Sequence, residues 1–194
     1  MNIRPADNWR WYFDDEHNCL MLDLSNGMVF RSRYPAKMLT VDAFNTFSFS
    51  VDDATAYYQF YESCAKLPIS EPLRVELVLN ALIARNYLKP QMPKSWYFVQ
   101  QPMVFQPKIG ELVEASVQDT GERIDLLAVD VGDSATLCLI TKPSLFMAGK
   151  QFGLADAVKV MHDRLASKNH LHYMQRDDND GPDELLLDFL CKVC

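Results

Sequence analysis

The chain has 194 residues, 48% of them hydrophobic, and its 19 basic against 26 acidic side chains give a net charge of −7. A hydrophobic fraction of this size can build a core, which excludes a disordered protein, and the acidic balance argues against a general nucleic-acid binder. The sequence opens without a signal-peptide core and has no apolar run near the roughly 18 residues of a membrane span, so we expect a cytoplasmic protein that is not inserted in a membrane.

Three β-strands are predicted near the N-terminus, over residues 9–13, 19–24 and 28–33. Asn26 and Gly27 separate the second strand from the third, and this pair is typical of a tight hairpin turn because both residues tolerate positive φ angles. The three strands should therefore form an antiparallel meander. Side chains alternate between the two faces of a strand, so Arg31 and Arg33 should share one face.

Two helices should follow the meander. Ser50, with Asp53 three residues later, is typical of a capping pair, which predicts a helix from there to about residue 66. Ser70 is placed to cap a second helix that runs to residue 88 and is apolar around most of its circumference. A helix of that kind is usually covered on several sides, so we place it centrally against the meander.

The segment 77–110 contains none of the 26 acidic residues, although it carries Arg85, Lys89, Lys94 and Lys108. Positive potential beside aromatic side chains suits a partner that offers carboxylates and apolar groups. The alternative is that acidic residues are missing because much of the segment is buried helix and strand. Four prolines, at 90, 93, 102 and 107, mark a predicted domain junction.

Beyond these prolines the pattern predicts short strands separated by turn signals, which indicates a small, partly closed and twisted β-barrel. A last helix over residues 154–165 should cover its open end, because apolar residues recur there at helical spacing. The strands are predicted over residues 96–99, 103–105, 112–118, 123–131, 135–141 and 145–147.

The predicted fold class is therefore α+β, with three segments. Residues 1–93 form an N-terminal α/β domain, residues 94–166 form the barrel-like domain with its helix, and residues 167–194 form an acidic, flexible tail. Within the tail, four aspartates over residues 176–183 indicate a solvated linker. The apolar patch that follows, residues 184–190, either docks back onto the body or remains a mobile short motif.

No group of residues carries a recognisable catalytic signature, so we expect neither an enzyme nor a cofactor. His17 near Cys19 offers the residue types of a nucleophilic site, but no third orienting group can be identified. Cys19, Cys64 and Cys138 sit among apolar neighbours and should be reduced and buried. A zinc site is disfavoured by the order of the ligands that would have to form it, His170, His172, Cys191 and Cys194.

Several long, ungapped stretches match a known family pattern. They are Asp-Asn-Trp-Arg-Trp-Tyr at 7–12, Met-Leu-Asp-Leu at 21–24, Phe-Arg-Ser-Arg at 30–33, Lys-Met-Leu-Thr at 37–40, Glu-Leu-Val-Leu-Asn-Ala-Leu at 76–82 and the run from Tyr to Trp at 87–96. In these stretches the chain resembles the ZapC family of cell division proteins, which associate with FtsZ. Weaker similarity continues to about residue 165, and the tail beyond it departs from the family pattern.

The resemblance implies a non-enzymatic protein with an α/β N-terminal domain and a β-barrel-like C-terminal domain. It implies that the chain binds FtsZ at mid-cell, promotes association of FtsZ protofilaments, lowers FtsZ GTPase activity and so stabilises the Z-ring. In the family, binding is associated with the positions that match Leu22, Lys89 and Lys94, beside a hydrophobic pocket in the N-terminal domain.

We therefore expect Lys89 and Lys94 to supply charge to the partner-binding site, with Arg85 assisting and Leu22 shaping its apolar part. Two alternatives stay open: Leu22 as an ordinary core residue, and the lysines as a solvated helix end, where they complement the helix dipole. The chain is expected to be monomeric or weakly self-associating. The competing functions are a peptide-binding adaptor for another client and, less favoured, a small metal-dependent hydrolase.

Overall fold

Eleven β-strands and two α-helices form over residues 3–25 and 27–168, the residues that this computed structural model describes. The strands make three antiparallel sheets, so the predicted α+β class is confirmed. The zinc candidates and most of the predicted tail lie outside the described residues. Neither α-helix of the described chain has the length and apolarity needed to cross a membrane.

The first sheet confirms the predicted meander. Leu24 donates its backbone N–H to the carbonyl oxygen of Met28 across the turn at 2.9 Å. Ser25 and Gly27 have φ angles of +70° and +76°, as a tight turn requires, while Asn26 lies outside the described residues. The strand order is β3-β2-β1-β4, where β1 is Arg10–Asp14, β2 is Cys19–Asp23, β3 is Val29–Pro35 and β4 is Phe47–Ser48.

Both predicted helices are present, as α1 over Val51–Cys64 and α2 over Glu71–Tyr87. The capping pair of α1 is confirmed, because the Ser50 hydroxyl accepts from the Asp53 backbone and the Asp53 carboxylate accepts from the Ser50 backbone. Ser70 occupies the N-cap position of α2, but its hydroxyl makes no capping hydrogen bond.

The second helix lies between two sheets. Every residue over 77–84 is buried, which confirms its central position. It contacts β3 on one side and β6 on the other. The sheet that contains β6 has the order β10-β7-β6-β5-β11, where β5 is Leu112–Ser116, β6 is Arg123–Val131, β7 is Ala135–Ile140, β10 is Ala157–Met161 and β11 is Ala166–Ser167.

Both faces of this second sheet are covered, since all of β7 is buried. Leu127 and Leu139 belong to the hydrophobic cluster around α2. On the other face, Leu126 and Ile140 belong to a second cluster, which also contains residues of a two-stranded hairpin formed by β8 (Ser144–Met147) and β9 (Lys150–Gly153). The predicted division near residue 93 stays a prediction, because one cluster is shared by α2 and both larger sheets.

The predicted C-terminal helix over 154–165 is wrong. Val158 and Val160 are buried and alternate with half-buried neighbours, and the segment pairs with β7 as strand β10. Valine favours strands because its χ1 angle is restricted. This preference and the pairing with β7 outweighed the helical spacing of the apolar residues. A 3-10 turn, His162–Arg164, follows β10.

Two predicted strands are also absent. Residues 96–99 begin within a 3-10 turn, Ser95–Tyr97, and residues 103–105 form no strand. Prolines at 93, 102 and 107 surround both segments and remove the backbone N–H groups that a ladder needs. Among the described residues the five-stranded sheet stays open, with β10 and β11 as its two edge strands.

Candidate functional site

Residues 88–110, which make up all but the last residue of the segment that joins α2 to β5, are termed the connector. Its first residues are fixed against the turn that follows β3. Lys89 donates its backbone N–H to the carbonyl oxygen of Met38 at 2.8 Å, and Thr40 donates to the carbonyl oxygen of Tyr87 at 2.7 Å. The start of the connector is therefore held by backbone hydrogen bonds on both sides of Leu88.

Further along, the connector bonds to strands β10 and β5. The Lys94 N–H donates to the carbonyl oxygen of Lys159 at 2.8 Å, and the Ser95 hydroxyl accepts from the Met161 N–H at 2.9 Å. The Val99 N–H then donates to the carbonyl oxygen of Ser116 in β5 at 2.8 Å. These bonds span the gap between β10 and β5 and make a rigid frame for the connector's outward side chains.

Lys89 and Lys94 both lie on this frame. Lys89 is exposed, and its ammonium donates to the carbonyl oxygen of Lys37 at 3.0 Å. Lys94 is half-buried and occupies the N-cap position of the 3-10 turn. Within residues 3–25 and 27–168, neither ammonium lies within 4.0 Å of a carboxylate. Their charge is therefore not neutralised by the part of the fold that is described.

Exposed apolar side chains flank the lysines. The exposed fraction is 80% for Met92 and 64% for Trp96, whose ring packs edge-to-face on Tyr97 at a centroid distance of 5.5 Å. We term Lys89, Met92, Lys94 and Trp96 the connector surface. Large apolar side chains clustered on a surface mark an interaction site more often than scattered ones do.

Arg85 occupies a different environment. It is exposed in the last turn of α2 and lines a polar cavity of about 370 Å³ between the two helices, together with Asp52 and Gln59 of α1. Asp52 makes the surroundings of Arg85 less positive than those of Lys89. The structure therefore places Arg85 beside α1 and Lys89 beside the turn after β3.

Leu22 lies inside the protein. It is 0% exposed and lies in β2, with Trp11 of β1 and Phe30 of β3 as its cross-strand neighbours. These residues belong to the hydrophobic cluster around α2, with Phe30 at its partly buried margin. The Leu22 side chain is therefore part of the hydrophobic core, as expected if Leu22 is an ordinary core residue.

An apolar groove of about 570 Å³ lies beside Phe30, between β3 and the N-terminal half of α2. Its walls include Met28, Val75 and Leu79, with Arg31 and Glu76 also lining it. The twelve steps from Val75 to Tyr87 rise roughly 18 Å along the axis of α2, and Lys89 follows the helix end, so the groove and the connector surface lie toward opposite ends of α2. The sequence pattern alone did not reveal this groove, because it forms only where β3 and α2 meet.

The candidate nucleophile beside His17 has the environment of a structural thiol. His17 and Asp14 share a hydrogen bond of 3.0 Å between imidazole and carboxylate on the surface, while Cys19 is buried. Burial raises the pKa of the Cys19 thiol, and Asp14 raises it further, so the thiolate is disfavoured. Cys64 and Cys138 are also free and buried, as predicted, and burial raises the pKa of Cys64 to about 12.

The described part of the chain contains no candidate metal-binding site. Across residues 3–25 and 27–168, no three histidine, cysteine, aspartate or glutamate side chains converge in a way that could hold a metal ion.

Comparison with known proteins finds similarity along most of the chain. A family model described as "Cell-division protein ZapC, N-terminal" matches residues 2–89, and one described as "Cell-division protein ZapC, C-terminal" matches residues 90–170. A protein named "Cell division protein ZapC" from Xenorhabdus bovienii is 48% identical over 85% of this chain and 91% of its own length. Proteins of the same name from Proteus mirabilis and Vibrio cholerae are 46% and 36% identical, over 86% and 88% of this chain and 91% and 95% of their own lengths.

Proposed function

We propose, because this chain belongs to the ZapC family of cell division proteins, that it binds FtsZ directly and promotes the association of FtsZ protofilaments. Membership of this family gives the chain a role in cell division. In the proposed role it lowers FtsZ GTPase activity and stabilises the Z-ring. The protein acts in the cytoplasm, is recruited to the division site at mid-cell and works without catalysis of its own.

The observation that carries this proposal is the connector surface. Lys89 and Lys94 have no carboxylate partner among the described residues, and Met92 and Trp96 stand exposed beside them. An acidic partner with apolar side chains can pair the ammonium groups and cover the apolar ones. Because the backbone beneath is already fixed by hydrogen bonds, binding requires little ordering of the chain.

The charge of this surface suits a filament partner. Two acidic filaments laid side by side repel one another, and lysines placed between them lower that repulsion. Anchoring then comes from apolar contacts, which are less sensitive to salt than exposed charge pairs. In this proposal Lys89 and Lys94 contribute charge, Met92 and Trp96 contribute apolar area, and Arg85 adds positive potential from the last turn of α2.

Leu22 has an indirect role in the proposed binding. It is fully buried and packs opposite Phe30, which lines the apolar groove. We assign Leu22 to the support of the groove wall rather than to contact with the partner. The groove also favours the second candidate function, a peptide-binding adaptor, because it lies beside the edge strand β3 and could receive an extended segment of another client.

Sedimentation with polymerised FtsZ tests the proposed function. The full chain is mixed with FtsZ and GTP, the filaments are pelleted, and phosphate release and light scattering are followed in parallel. We expect the chain in the pellet, slower phosphate release and higher scattering. A chain that stays in the supernatant at every ratio would contradict FtsZ binding and favour the adaptor function.

A further inference from the structure

The end of the sequence is chemically complementary to the connector surface. Residues 177–190 contain six acidic and five large apolar side chains and no basic one, whereas the connector, residues 88–110, carries three lysines and no acidic residue. On the connector, Met92 and Trp96 are exposed, and neither Lys89 nor Lys94 has a carboxylate partner among residues 3–25 and 27–168. The acidic segment can therefore supply carboxylates for the lysines and apolar side chains to cover Met92 and Trp96.

Four and five residues before its last described residue, the chain contacts the connector, and β11 then pairs with β5. The Arg164 guanidinium donates to the carbonyl oxygen of Phe98 at 3.3 Å, and the Gln101 N–H donates to the carbonyl oxygen of Asp163 at 2.8 Å. Eight residues lie between Lys168 and Asp177, and the nine steps from one to the other can span about 30 Å. The acidic segment can therefore reach the surface around Lys94 and Trp96 without any change in the described fold.

We propose that residues 177–190 dock onto the connector surface of the same molecule. The aspartates pair with Lys89 and Lys94, and the apolar side chains at 185–187, 189 and 190 cover Met92 and Trp96. A tethered segment has an effective concentration in the millimolar range, so even weak intrinsic affinity keeps the surface largely covered. If the connector surface is also where FtsZ binds, which rests on the proposed function, the docked segment competes with FtsZ. The apparent affinity for FtsZ is then the intrinsic affinity multiplied by the fraction of molecules whose connector surface is uncovered.

Trp96 provides a direct probe of this docking. The chain has three tryptophans, and Trp9 and Trp11 are 2% and 0% exposed, so quenching of tryptophan fluorescence by acrylamide reports mainly on Trp96. A Trp96→Phe variant should remove most of the quenchable signal and thereby verifies the reporter. No partner protein is needed for this measurement.

The test compares the full-length chain with Leu186→Asp/Phe189→Asp, which removes the apolar contacts of the segment, and with the conservative control Leu186→Met/Phe189→Leu. The docked segment should shield Trp96, so we expect the Stern–Volmer constant to rise about twofold or more in the aspartate variant and to stay near wild type in the control. Equal constants in all three proteins would overturn the proposal. Unchanged thermal melting of the variants verifies that the fold is intact.

Dilution distinguishes docking within one molecule from exchange between two. Quenching of the wild-type chain should not depend on protein concentration. Shielding that disappears on dilution would contradict docking within one molecule and assign the segment to a second copy. In pelleting with FtsZ, the aspartate variant should bind several-fold more tightly than wild type. Failure of FtsZ binding would refute the proposed function, while the fluorescence result would still decide the docking.

Discussion

Replacing Leu22 by alanine should destabilise the protein rather than remove a contact with its partner. The side chain is 0% exposed between Trp11 and Phe30, on a strand in the interior of the first sheet. Leucine-to-alanine changes at such positions cost about 2–5 kcal/mol, since the lost burial is followed by a cavity that collapses only partly. For a chain of this size, that corresponds to a fall in melting temperature of roughly 5–15 °C.

Urea unfolding followed by tryptophan fluorescence measures this effect, with Leu22→Met as the matched control. Methionine nearly conserves the volume and should cost less than about 1.5 kcal/mol. Partner binding by Leu22→Ala should fall in proportion to the unfolded fraction and recover on cooling within the range where the variant is folded. An alanine variant with wild-type unfolding free energy but weak partner binding would refute this reasoning and identify Leu22 as a contact residue.

Three further predictions follow from named contacts. Ser50→Ala removes the capping box of α1 and should lower the free energy of unfolding by about 1 kcal/mol, measured by urea unfolding, whereas Ser70→Ala, whose hydroxyl makes no capping bond, should cost less. Burial lowers the pKa of His162 below 6.5, so protonation favours the unfolded chain and the free energy of unfolding should fall as pH drops through 6.5. The His162→Gln variant should lose less unfolding free energy between pH 7.5 and 5.5, and an equal loss in both proteins would contradict a role for His162 in this pH dependence. The affinity for FtsZ, measured by co-sedimentation, should fall as the salt concentration rises from about 0.05 to 0.5 M, because salt screens the attraction between exposed charges. An affinity that does not change with salt would show that apolar contacts contribute most of the binding energy.

Local signals in the sequence were sufficient to predict the three-stranded meander and the two α-helices. The capping pair at Ser50 and Asp53 and the positive-φ turn at Gly27 act within a few residues, so they could be identified without knowledge of distant contacts. The central placement of α2 followed from its nearly continuous apolar surface. In each case the physical cause lay within the segment itself.

The second half depended on long-range pairing, and there the prediction failed in part. Residues 157–161 carry apolar spacing compatible with either a helix or a strand, and pairing with β7 decides between them. The connector is fixed by bonds to Met38, Lys159 and Ser116, which lie far from it in the sequence. The groove beside Phe30 likewise exists only through the packing of β3 on α2. The assignment of the binding residues stays a prediction that rests on exposure and charge.

The most direct test reverses the charge of Lys89 and Lys94 together and measures co-sedimentation with FtsZ filaments. The matched control, Lys66→Glu/Lys150→Glu, changes two exposed lysines elsewhere and shifts the net charge equally, from −7 by four units to −11. We expect Lys89→Glu/Lys94→Glu to weaken binding by about tenfold or more, because attraction becomes repulsion, while the control stays close to wild type. Equal binding by both folded variants would contradict the assignment of the connector surface as the partner site.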